Sequence, residues 1–366
     1  MRNTFLTVLV ILLIASCSKD DSTSPDATSS DENLQQIELM QLLSEREEDG
    51  FYGSILIQKD DELLINNGYG FKNLEEDQRN DPNTIFDIGS VTKQFTGAAI
   101  LTLEMQGSLS VEDSLHTYLE NVPEDKQNIT IHQLLTHSSG LTENLGDDYD
   151  VVSTEMFFEQ TFDSELESIP GERYVYSNVG YSILGILIEK ISGQTYEGYL
   201  RENLWLPAGM DQTGYRLPDF APEDVAHGYQ GDIDFGVPNS SELWFDEGPF
   251  WHLKANGGIL SSIQDMIKWH EALNTNDILN EEAKEKLFFP HILEEPGGGD
   301  TYYGYGWVIR ELDGIGLVQD HNGGNDIFFA QMIRFIDQNI TVIMLSNQAS
   351  EISETLILDI LPILFE

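Results

Sequence analysis

The sequence predicts an α/β (α+β) protein. One antiparallel sheet is built from strands at both ends of the chain and flanked by helices, with a mainly helical region inserted between its two halves. Three observations point there. Tyr52–Gln58 and Glu62–Gly68, joined by Lys59-Asp60-Asp61, read as a β-hairpin. Strand signals then return only at Gly304–Glu311, Leu317–Asp320, Ile327–Phe335 and Thr341–Ser346. The stretch from about 110 to 290 is helix-rich with many loops, Tyr181–Ser192 and Ser262–Leu273 being its clearest helices. Strands at both ends around a helical middle close into one sheet.

The elements follow in order. Arg2 precedes the apolar run Phe5 to Ile14, which is too short for a comfortable membrane span and reads as a signal peptide over 1–16. Ile14-Ala15-Ser16-Cys17 resembles a bacterial lipobox, and Cys17, the single cysteine, stands where lipidation requires it. Acyl chains there would anchor the protein without a helix. Ser18 after the cysteine resembles outer-membrane sorting, and Ser18-Lys19-Asp20-Asp21 resembles a surface-export signal. The expectation is an exported lipoprotein of the outer membrane, on its periplasmic face or the cell surface. Residues 17–36 read as a solvated acidic tether. The folded domain is expected over 37–366, its sheet coming from about 50–70 and 300–348. A short helix is expected over 37–49, a long one over Ser90–Gln106 ending at Gly107, and a last one over about Glu351–Leu364.

Charge narrows the partners. The 366 residues carry 64 acidic and 18 basic side chains, a net charge of −46. Such a chain has no basic footprint for nucleic acid, so none is expected. Apolar residues make up 40% of the chain, enough for a real core. One cysteine excludes an internal disulfide and a cysteine metal cluster. His132 and His137 are five apart, not the spacing of a zinc-protease helix, and read as structural. No metal and no cofactor are expected. Tyr302, Tyr303, Tyr305 and Trp307 read as sheet packing.

Three short motifs could carry chemistry. In Ser90-Val91-Thr92-Lys93 the spacing of three puts a hydroxyl and an amine on one helical face. A serine is a poor nucleophile until a base takes its proton, and a lysine of lowered pKa can do so. The spacing alone fits a helix cap as readily, and Ser16 to Lys19 repeats it inside the signal. Tyr176-Ser177-Asn178 offers a phenol for proton relay and an amide to orient a lysine and a substrate. His321-Asn322-Gly323-Gly324, between two predicted strands, offers glycines that admit a substrate to a backbone, though Asn-Gly-Gly also makes a turn readily.

Their order resembles the serine β-lactamase and penicillin-binding-protein superfamily, whose motifs are S-x-x-K, S/Y-x-N and K/H-T/S-G. The tyrosine resembles the branch of class C β-lactamases, DD-peptidases and family VIII esterases. Thr130 to Leu141 (TIHQLLTHSSGL), Pro170-Gly171 before Tyr174 to Tyr181, Leu206 to Thr213, Gly257 to Met266 and Tyr305-Gly306-Trp307 also resemble segments of that branch. The resemblance spans roughly 40–350. It implies Ser90 as acylated nucleophile, and Lys93 and Tyr176 sharing proton transfer without saying which is the base. It implies Asn178 orienting Lys93 and substrate, and His321, Asn322, Gly323 and Gly324 in substrate binding. The backbone N–H groups of Ser90 and Gly324 would make an oxyanion hole.

The chain departs from the pattern in lacking K-T-G. His321 stands where a lysine usually helps hold a substrate carboxylate, and Asn322 replaces the hydroxyl residue. The expectation is therefore a serine hydrolase of carboxypeptidase or esterase type rather than an efficient β-lactamase. Its substrate would be a small molecule or peptide, and its oligomeric state stays open. The alternative is a catalytically weak binder of cell-wall peptide. An ordinary histidine titrates near pH ~6.5, so His321 is expected to shape the low-pH limb of any rate profile.

Overall fold

The computed structural model describes residues 25–240, 244, 248–295 and 298–365. The expected signal peptide, Cys17 and the start of the expected tether lie outside the described residues. Eight strands form one sheet: β1 (Gly53–Lys59), β2 (Glu62–Tyr69), β3 (Ile292–Leu293), β4 (Thr301–Tyr303), β5 (Val308–Leu312), β6 (Gly316–Gly324), β7 (Phe329–Phe335) and β8 (Ile340–Ser346). Their spatial order is β2-β1-β8-β7-β6-β5-β4-β3. Neighbours run antiparallel, and β1 from near the start pairs β8 from near the end, Gly53 opposite Ser346.

Both faces of the sheet are covered, which is why its inner strands read as continuous apolar runs. Ile55 and Ile57 of β1, with Val342 and Met344 of β8, join one core cluster together with Leu39, Leu43, Leu356 and Ile360. Those last four lie on the helices α1 (Pro25–Glu48) and α5 (Glu351–Phe365). Leu56, Ile343 and Leu345, on the alternate pleats, join the larger cluster on the other face. At the centre of that cluster is α2 (Thr92–Met105), whose residues from Thr92 to Leu103 are all buried. Also on that side are α3 (Asn178–Ser192) and α4 (Ile263–Asn274), N-capped by Ser177 and Ser262 through their side chains.

Three expectations are corrected. First, the tether does not run to residue 36, because α1 starts at Pro25, a residue suited to a first helical turn. Gln35 donates to the Ile363 and Leu364 carbonyls and Gln36 to that of Leu64, so these polar residues dock on the domain. Second, Gly304–Trp307 is not strand. The Gly304 N–H bonds the Trp307 carbonyl across a tight turn, and β5 begins at Val308. Third, His321 to Gly324 do not lie between strands. They form the end of β6, with His321 opposite Met332 and Gly324 opposite Phe329.

A buried cation joins β7 to α4. Arg334 is 3% exposed, and burial lowers it to about 10, still cationic at neutral pH. Its Nε donates to His270 Nδ1 at 3.1 Å, Nη1 to Gln319 Oε1 at 2.9 Å and Nη2 to Asn274 Oδ1 at 2.5 Å. The guanidinium also lies over the rings of Phe288 and Trp307.

Candidate active site

The nucleophile motif sits at a seam. Phe86–Asp87 pairs with Leu260–Ser261, a 3-10 turn follows over Gly89–Val91, and α2 then carries Lys93 inward. Ser90 therefore starts a helix where the chain leaves a short strand, and Lys93 lies one turn on. The end of β6 presses against this turn. Gly89 has φ +50, and a Cβ there would stand 2.6 Å from Gly324 N. A Cβ on Gly323 would collide with Ile88 O and Ser90 N. Glycine at both positions brings the backbones of Ser90 and Gly324 together.

Lys93 is 0% exposed, yet it is fully partnered. Its Nζ is 2.7 Å from Asn178 Oδ1, 2.7 Å from the Asn256 carbonyl and 3.1 Å from Ser90 Oγ. Burial lowers its pKa well below the ordinary lysine value, and Asp148 and Glu143 only partly oppose this. A neutral amine has two hydrogens and one lone pair. Nζ donates to all three oxygens, and once it gives up a proton the two carbonyl-type oxygens keep the remaining hydrogens while the lone pair faces the Ser90 hydroxyl.

Tyr176 completes the chain. It is hydrogen-bonded to Ser90, and its ring centroid is 4.8 Å from Lys93 Nζ. Burial raises its pKa above the ordinary phenol value, outweighing the Ser90 bond, so it is protonated at neutral pH. Asn178 opens α3 with its backbone N–H on the Glu143 carbonyl, 2.9 Å away. Its Nδ2 donates to Asn144 Oδ1 at 2.9 Å, which turns its oxygen toward Lys93.

His321 is 3% exposed. Its Nδ1 donates to the Asn322 carbonyl at 2.5 Å, and its Nε2 accepts from the Tyr303 hydroxyl at 2.9 Å. Burial and then the Lys93 charge lower it to about 3. This corrects the expectation that it titrates near ~6.5. It is a neutral residue held by a phenol, not a pH-dependent cation. Accordingly, His321→Gln should leave the low-pH limb between pH 5 and 9 in place, as read from kcat against pH. A limb that vanished would show that His321 does titrate there. Asn322, by contrast, is exposed.

The site thus brings Ser90, Lys93, Tyr176, Asn178, His321, Gly323 and Gly324 to one seam between sheet and helices. Sequence reasoning missed several supports. The Asn256 carbonyl holds Lys93, and its only signal was the adjacent Gly257-Gly258. Tyr303 packs the sheet but also bonds His321. His137, read as structural, lies 4.2 Å from the Tyr176 ring centroid, and its Nδ1 accepts the Ser177 N–H at 3.0 Å. It braces the tyrosine motif from behind.

Known proteins resemble this chain in sequence and fold. The family model described as Beta-lactamase matches residues 43–361. The chain belongs to the beta-lactamase family. It is 29% identical over 332 residues to a penicillin-binding protein of Bacillus subtilis (strain 168), covering 86% of this chain and 71% of that one. The solved penicillin binding protein from Bacillus halodurans superposes with a TM-score of 0.73 at 29% identity, covering 87% of this chain and 99% of that one. The octameric penicillin-binding protein homologue from Pyrococcus abyssi gives 0.71 at 28% identity, covering 89% and 77%. The fold and the serine hydrolase superfamily follow from these matches.

Proposed function

We propose that this family member hydrolyses an ester or amide through an acyl-enzyme on Ser90, as a carboxypeptidase- or esterase-type enzyme. The observation that carries the reading is the buried Lys93 amine, 3.1 Å from Ser90 Oγ, with two carbonyl-type oxygens already accepting from it. A protein that only binds has no need of so desolvated an amine.

In the proposed step, Lys93 Nζ takes the Ser90 proton as Oγ attacks the acyl carbon. The oxyanion meets the Ser90 and Gly324 N–H groups. The bond to the leaving group breaks, and the leaving group takes the Tyr176 proton, which Lys93 restores. Water then repeats the sequence on the acyl-enzyme and regenerates Ser90. Neutral His321 supplies no cation for a carboxylate, which argues against efficient β-lactamase action and favours substrates held by other contacts.

The test is labelling with a fluorophosphonate and with a fluorescent penicillin, for the wild type and Ser90→Ala. Alongside it runs a panel of p-nitrophenyl esters, D-Ala-D-Ala peptides and a chromogenic cephalosporin. Fluorophosphonate labelling and ester or peptide turnover, both lost in Ser90→Ala, are expected. Labelling that survives the substitution refutes the assignment of Ser90.

A further inference from the structure

Asp87 is an acid that the acyl transfer above does not use. It is 2% exposed and lies directly under the nucleophile turn. One carboxylate oxygen accepts the Gly89 N–H at 2.7 Å. The other accepts from the side-chain amide of Asn325 at 3.4 Å. Asn325 follows Gly324 and organises the turn after β6. Its Oδ1 accepts the Ile327 and Phe328 N–H groups at 2.8 and 2.7 Å, and its own N–H bonds the Phe328 carbonyl. Those two bonds prevent the Asn325 amide from reversing, so only its Nδ2 can face Asp87.

We propose that Asp87 is a positioning residue that ties the Ser90 turn to the end of β6 and sets the separation of the two oxyanion donors. This rests on the acyl-enzyme reading, because it concerns the Ser90 and Gly324 N–H groups. The logic is one of donors and acceptors. An ionised carboxylate is acceptor-only and can take Gly89 N–H and Asn325 Nδ2 together. Once protonated, it presents a hydroxyl hydrogen to one of two donors, and that half of the tie is lost.

Other features of the seam agree. Burial, reinforced by the nearby Asp148 charge and opposed by the Gly89 bond, pushes Asp87 up to about 7. The titratable groups facing it are Asp148 and Tyr149 from the loop before Val152, and Tyr215 from the segment whose Gly214 bridges to Leu260. Both tyrosines are raised by burial and stay neutral. The tie is therefore complete above about pH 7 and opens below it, which lowers turnover as the pH falls.

The experiment measures kcat and KM from pH 5 to 9 on an activated ester for four chains: wild type, Ser90→Ala, Asp87→Asn and the double variant Asp87→Asn with Asn325→Asp. An asparagine at position 87 mimics the protonated acid. Asp87→Asn is expected to lower kcat about 10–100-fold, short of the roughly 10²–10³ for a deleted oxyanion donor. KM should stay within about twofold, and the limb near pH 7 should vanish. In the double variant the donor and acceptor of the tie are exchanged. The amide introduced at position 87 donates to the carboxylate introduced at position 325, whose other oxygen still takes the turn N–H groups. Recovery of most of kcat is expected there, which a merely structural role would not give. Should Asp87→Asn fail to fold, Asn325→Ser must show the same loss of kcat at constant KM, because it keeps a turn acceptor without an amide for Asp87. Wild-type kcat and limb in Asp87→Asn, or no recovery in the double variant, overturns the tie alone. A wild type without Ser90-dependent turnover overturns the acyl-enzyme reading and the tie with it.

Discussion

Lys93→Ala is expected to lower kcat for an activated ester by about 10²–10⁴-fold, the usual worth of a positioned general base. Burial lowers the pKa of the amine well below the ordinary lysine value, so turnover rises as the pH rises through that lowered pKa. Tyr176→Phe separates the two candidate bases. Tyr176 is raised by burial and protonated, so its part is to give a proton to the leaving group. Its loss should then be mild with p-nitrophenolate, which leaves without a proton, and severe with an amide. Stopped-flow acylation on the two substrates checks this. Equal, large losses on both would make Tyr176 the base instead.

Arg334→Met is expected to destabilise the fold by about 1–3 kcal/mol, the range for leaving a buried acceptor without its donor. The substitution removes a cation from three side-chain acceptors, leaving Gln319 Oε1 without its donor in buried surroundings and His270 Nδ1 with the Thr341 hydroxyl alone. Urea unfolding should show a lower midpoint with an unchanged slope. His270 should rise from about 3, because burial would still lower it but the Arg334 charge would not. Because the network ties β7 to α4 and does not include Ser90 or Lys93, fluorophosphonate labelling of the folded fraction should persist. A midpoint like the wild type's would mean that the acceptors rehydrate or re-pair.

Much of this architecture was legible because local signals agreed with tertiary context. The hairpin β1–β2, the helix behind Ser90 and the strands β7 and β8 carry periodicity that their final burial rewards. β3 and β4 escaped notice because they have two and three residues at the sheet's edge. His321-Asn322-Gly323-Gly324 has a turn's composition, yet pairing with β7 overrides it. The glycines serve close approach to Ser90 rather than a bend. The candidate site residues were named by motif order, but their protonation was not. Whether Lys93 or Tyr176 is the base depends on burial, which spacing cannot report. His321 misled for the same reason. Asp87 is one of 64 acids, and nothing local marks it until Asn325 arrives beside it.

The pairing of β1 with β8 has a temporal consequence. Gly53 waits for Ser346, so the β1–β2 hairpin cannot join the rest of the sheet until β8 has been synthesised. Contacts so distant in sequence form late and slowly. Asn178, Asn256 and Gly324 likewise reach Ser90 and Lys93 only after long loops have closed. A growing chain therefore carries Ser90 without the partners that the folded seam gives it, and the proposed nucleophile acquires them only once these distant segments have met.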